Sequence, residues 1–114
     1  MSQALAWLLT LLLEVPLVVF FANKWGISWQ RAAIVGIVAS SITHPLAWKS
    51  FWAATVIWQT DHAWLWLVCI ESLVWLIEAG VYRIALPLDW GRSMMLALLT
   101  NALSASMGML IMWL

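Results

Sequence analysis

Four long apolar runs, parted by short polar or turn-forming stretches, set the pattern of this chain. They cover residues 4–22, 31–48, 63–85 and 93–113. A helix needs about 20 residues to cross the hydrocarbon core of a bilayer, so each run predicts one spanning helix. The first carries Glu14 near its middle, followed by Pro16. Proline removes a backbone donor and frees the Leu12 carbonyl, so a kink is expected there. In the second, Ala32, Gly36 and Ser40 recur every four residues, a small-residue stripe that lets another helix approach closely. Thr43-His44-Pro45 then interrupts it, because a residue before proline avoids helical angles. A helix stopping at His44 would span only roughly 21 Å. The pattern therefore predicts a kinked helix continuing to Trp48. The third run, Ala63–Ala85, ends with Arg83 placed to snorkel to water. Pro87, Asp89 and Gly91 mark a turn before the fourth, Ser93–Trp113. Between 50 and 62, Phe51, Trp52, Val56, Ile57 and Trp58 are too few to span and predict a short helix lying in the interface.

Composition narrows the class. Of 114 residues, 66% are hydrophobic and 9% charged, against about 25% charged in a soluble domain. Such a chain cannot clothe a water-facing surface, and the expectation is a single all-α integral membrane domain. Net charge is zero and no basic patch suggests nucleic acid. Cys69 is the one cysteine, which excludes an internal disulfide and a multi-cysteine metal site. The first run has no preceding basic residue and no A-x-A cleavage pattern after its apolar stretch, and reads as a retained helix. Lys24, Arg31, Arg83 and Arg92 lie in or beside the loops at 23–31 and 86–92, and only Lys49 lies on the other side. The positive-inside rule makes those two loops cytoplasmic and both termini external; the membrane expected is a bacterial inner membrane. The tryptophans fit two interfacial belts: Trp25, Trp29 and Trp90 inside, and Trp7, Trp48, Trp52, Trp58, Trp64, Trp66 and Trp113 outside. Trp75 alone is deep.

The halves resemble one another. Leu12-Leu13-Glu14-Val15-Pro16 matches Leu76-Ile77-Glu78-Ala79-Gly80, and Trp29-Gln30-Arg31 matches Trp90-Gly91-Arg92. Counted from the arginines, Gly36 meets Ala97, Ser40 meets Asn101, and Thr43 meets Ser104. The predicted architecture is two tandem hairpins, residues 4–48 and 63–114, joined by the connection at 50–62. They form a parallel repeat about an axis along the membrane normal.

An ionisable group within a bilayer costs roughly 2.5–3.5 kcal/mol on insertion scales and is a functional hypothesis by default. Helical rise puts Glu14, Glu78, Ser40 and Asn101 in one layer, with Thr43 and Ser104 about a turn further out and Glu71 about two. The expectation is that Glu14 and Glu78 hydrogen-bond across the bundle to Ser40, Thr43, Asn101 and Ser104. Glu71 shares a helical face with Glu78, with Trp75 between them and Tyr82 a turn below. It has no counterpart in the first half, where Trp7 stands in its place. His44 is a candidate metal or haem ligand, but no ligand spacing accompanies it. A hydrogen bond to a carboxylate or a proline-freed carbonyl accounts for it more simply. Cys69 reads as a core residue, and Asp61 with His62 as an exposed loop pair. No nucleophile triad, phosphate loop or nucleotide fingerprint occurs, so neither an enzyme nor a bound cofactor or metal is expected.

Glu14-x-Pro16, Thr43-His44-Pro45, Glu71 with Glu78 and Tyr82, and Asn101-x-x-Ser104 together resemble a set of small bacterial four-helix integral membrane proteins of unassigned function. That resemblance implies a fold and no activity. Chain size and Glu14-Val15 are also similar to the small multidrug resistance exporters, in which a first-helix carboxylate exchanges protons for cationic drugs. Pro16, Thr43-His44-Pro45 and the third-helix carboxylates depart from that pattern. The functional expectation is a non-enzymatic accessory or assembly subunit of a membrane complex, partnered by another membrane protein or by itself. The alternatives are a proton- or ion-coupled transporter using Glu14, Glu71 or Glu78, and a haem-, pigment- or quinone-binding subunit using His44 and the tryptophans.

Overall fold

The computed structural model describes residues 2–57 and 61–113. Local signals fix the ends of its four helices. α1 (Gln3–Lys24) begins where the Ser2 side chain accepts the Leu5 N–H, satisfying one of the unpaired donors at a helix start. It stops in a Schellman turn: Ile27 N–H donates to the Ala22 carbonyl at 2.8 Å and Gly26 N–H to Asn23 at 3.2 Å. Gly26 takes φ +77° there, which a side chain would resist. Ser28 then caps α2 (Trp29–Trp52) by accepting the Arg31 N–H. α3 is Ala63–Ala85. α4 (Trp90–Trp113) starts where Asp89 Oδ1 accepts the Arg92 N–H at 2.8 Å. These caps place the starts of α2 and α4 before the positions that hydropathy suggests.

Pro16 and Pro45 both lie inside continuous helices. Over the described part of 50–62, the separate interfacial helix expected there is not what forms. Residues 50–52 extend α2, and Ala53–Ile57 follow as a π-helical turn. Thr55 donates its hydroxyl to the Phe51 carbonyl at 2.8 Å in that turn, feeding a donor into a wider ring. Trp58 and the side chain of Trp113 fall outside what the structure describes.

The helices form a ring in the order α1, α2, α3, α4, each packed on its two neighbours, with α1 and α3 diagonal, as are α2 and α4. The core lies toward the two tight loops and contains Val18, Ala22, Ile27, Ala32, Val35, Ala39, Ala79, Tyr82, Leu86, Leu88, Leu96 and Ala97. Buried positions of one hairpin pair with those of the other: Glu14 with Glu78, Val18 with Tyr82, Ala22 with Leu86, Ala32 with Ser93, Val35 with Leu96, and Ala39 with Thr100. Arg31 Nε ties the hairpins at this end by donating to the Ala85 carbonyl at 3.0 Å.

Gly36 faces α1, where an added Cβ would meet Val15 and Val18 at 3.6 Å, ordinary contact. Gly36→Ala should therefore leave the bundle intact. Gly36→Leu should cost about 1–3 kcal/mol by overpacking, read as a lowered unfolding midpoint in detergent. Equal tolerance of both would refute close packing of α1 on α2 here.

Among the described residues, two helices are long and apolar enough to cross a membrane, Gln3–Lys24 and Trp64–Ala85. α2 and α4 are as long, but α2 carries Arg31, His44 and Lys49, and α4 carries Arg92 and Asn101.

Candidate functional site

The 3.6-residue helical period turns Glu14, Val18 and Ala22 of α1 to the bundle axis, and it turns Glu78 and Tyr82 of α3 there from the opposite side, with Leu86 buried just past the end of α3. Both carboxyl groups are buried, with 1% of each residue exposed. Every one of their four oxygens accepts a hydrogen bond. Glu14 Oε2 takes the Ser40 hydroxyl at 2.5 Å, and Oε1 takes the Ser104 hydroxyl at 2.8 Å. Glu78 Oε1 takes the Thr43 hydroxyl at 2.8 Å, and Oε2 takes the Asn101 amide at 3.2 Å. Each acid thus draws one donor from its own hairpin and one from the other. Exchanging the halves, Ser40 for Asn101 and Thr43 for Ser104, reproduces the pattern.

No protein-family model, curated protein or solved structure matches the chain. The site has to be read from its own chemistry.

Glu71 stands apart from this layer. It is half-buried, and among the described residues it makes no hydrogen bond. It lies seven residues, two helical turns, before Glu78 on α3, so it shares the face that Glu78 turns to the bundle axis. Tyr82, fully buried, directs its hydroxyl toward Thr100 and Glu78 without a well-aligned bond to either. Trp75 donates its indole N–H to the Met94 carbonyl at 2.8 Å, which accounts for a tryptophan at that depth.

His44 joins no carboxylate and no proline-freed carbonyl. Its ring packs against Trp48, with centroids 5.9 Å apart, and lies beside the Gln3 backbone. It lines a cleft of about 470 Å³ with Gln3, Ala4, Trp7, Ser41 and Pro45. One residue past Thr43 turns a helical side chain by about 100°, which carries His44 off the axis. Cys69 is exposed, not core. Asp61 and His62 are exposed. Among the described residues no three His, Cys, Asp or Glu side chains gather as a metal site.

Two buried polar residues at the core, and one beside the cleft, escape a reading by charge. Thr100 and Ser93 are fully buried on α4, and the Ser93 hydroxyl has no partner. Ser41 accepts the Trp7 indole N–H at 3.2 Å. The pairing of halves could have exposed the first two, since Ala39 and Ala32 hold their places in the first hairpin.

Proposed function

We propose that this chain is a small integral membrane protein of four spanning helices, built as two tandem hairpins, that serves as a non-enzymatic accessory or assembly subunit of a membrane complex. The observation that carries the reading is the closed hydrogen-bond layer. Two carboxyl groups on diagonal helices, each held by donors from both neighbouring helices, lock the register of all four. A bilayer setting is supported by the reversal of ordinary polarity. The acids lie inside, while Leu12, Phe20, Ile34, Leu73 and Ile84 face outward, Ile84 at 86% exposure. A surface of that kind belongs in lipid. Lys24, Arg31, Arg83 and Arg92 all belong to the loop end, which favours a cytoplasmic position for it and external termini. Guanidinium groups resting on indole rings, Arg83 on Trp90 and Arg92 on Trp25, suit an interface where one side of a ring is apolar and the other wet.

A second reading, proton-coupled transport, is favoured by one observation: Glu71 faces the axis with no hydrogen-bond partner. Purification in mild detergent from the native membrane separates the two. The accessory role expects a larger membrane protein in stoichiometric amount, whose assembled level falls when this chain is deleted and returns on re-expression. A chain that purifies alone, and whose proteoliposomes show pH-gradient-driven flux abolished by Glu78→Gln, would overturn that role in favour of transport.

A further inference from the structure

The donors of the buried layer differ in how many hydrogens they hold. Asn101 has two amide hydrogens, spent on Glu78 and on the Ala97 carbonyl. Thr43 has one, with two acceptors in reach: Glu78 Oε1 at 2.8 Å and the Ala39 carbonyl at 3.1 Å. Ser104 is placed the same way, between Glu14 Oε1 at 2.8 Å and the Asn101 carbonyl at 3.3 Å. When such a hydroxyl gives its hydrogen to the carbonyl, its oxygen turns a lone pair to the carboxyl group. It then accepts from a protonated acid. Rotation about one C–O bond therefore satisfies either protonation state of each acid. The two hydroxyls with a carbonyl as alternative acceptor are the two that cross between hairpins.

A second, independent feature points the same way. The Tyr82 hydroxyl is enclosed, aimed at Glu78 and without a well-aligned partner. Enclosed hydroxyls in this situation are ordinarily met by water, which carries protons. No cation faces the layer from any helix among the described residues. α1 brings Glu14, and α3 brings Glu71, Glu78 and Tyr82. α2 and α4 bring only neutral hydroxyl and amide groups, with His44 of α2 turned toward Gln3 and Trp48.

From this geometry we infer that the Glu14–Glu78 layer is a proton-binding site, loaded from the end of the bundle that holds the chain termini, through Glu71. Glu71 lies two turns from Glu78, about 10 Å along α3, so water carries the proton between them. The O–H bond of the Glu71 acid breaks, and an O–H bond forms on Glu14 or Glu78. The new acid donates to Ser104 or Thr43, whose own hydrogen swings to its helix carbonyl. Glu71, left as a carboxylate, takes its next proton from water at its end of the bundle. This goes beyond the structural lock, which has no use for Glu71, and it does not depend on the identity of a partner.

Infrared difference spectroscopy after a rapid pH jump, on the full chain in phosphatidylcholine nanodiscs, tests it. The expected result is that the layer gives two carboxylic-acid C=O bands that vanish on deprotonation, one missing in Glu14→Gln and the other in Glu78→Gln, beside a third from Glu71 itself. Glu71→Gln should keep both bands but slow their appearance by about 10²-fold, the low end of what a positioned proton-transfer group contributes. Thr43→Val should shift the Glu78 band toward that of an unbonded acid. If neither band titrates, or if Glu71→Gln loads at the wild-type rate, the proposal is overturned. Should the Glu14 or Glu78 variants fail to fold, Glu71→Gln disturbs no hydrogen bond and decides alone.

Discussion

Tyr82→Ala should cost the bundle about 3–5 kcal/mol, the range for removing a buried aromatic ring. Tyr82 is the largest of the fully buried side chains, and it sits in the core just on the loop side of the acid layer. In the bilayer setting proposed above, the gain from packing between helices is van der Waals contact and not water release, so the lost contacts of the ring set the loss. Tyr82→Phe should be close to neutral, because the hydroxyl makes no well-aligned hydrogen bond that stability would miss. The midpoint of unfolding in mild detergent, titrated with a denaturing one, checks both. Equal damage from both variants would show that the hydroxyl, and not the ring, is what the core requires.

The second large effect comes from stripping one acid of its donors. Thr43→Val with Asn101→Leu leaves both Glu78 oxygens without a hydrogen-bond partner. Hydrogen bonds to a charged or enclosed carboxyl group are worth about 1.5–3 kcal/mol each, and an orphaned acceptor bears its full desolvation penalty. The double variant should therefore fall by about 3 kcal/mol or more. Adding Glu78→Leu should restore most of that, since removing every member of a polar set at similar shape is close to neutral. The rescue is the discriminating result. A triple variant as unstable as the double one would mean that the damage came from misfitted side chains and not from the carboxyl group.

Much of this arrangement was legible in the residues. Helical periodicity placed Glu14 and Glu78 at one depth, and the matched Trp-x-Arg segments gave Ser40, Asn101, Thr43 and Ser104 a common reference. Their four bonds to the two acids follow from those two facts. Hydropathy fails where it measures one quantity and the fold depends on another. Cys69 is apolar enough for a core, yet apolar residues face outward here as readily as inward, so polarity alone could not orient it. His44 adjoins Thr43 in sequence, and only the angular step of the helix separates the axis from the cleft beside Trp7. The connection after Trp48 misled because its apolar residues look amphipathic in isolation, whereas the chain simply continues α2 into a wider turn. Thr100 and Ser93 escaped because a lone hydroxyl in an apolar run is too common to stand out.

The sharing of donors between hairpins bears on biogenesis. A ribosome delivers the first hairpin before the second, and at that moment Glu14 can be met by Ser40 alone, while Thr43 has no acid to serve. The nascent protein thus carries an acid with one oxygen unpaired until Ser104 follows. A chain cut before Ser104 leaves Glu14 Oε1 without its donor from the second hairpin, so the first hairpin reaches its closed polar layer only through the second.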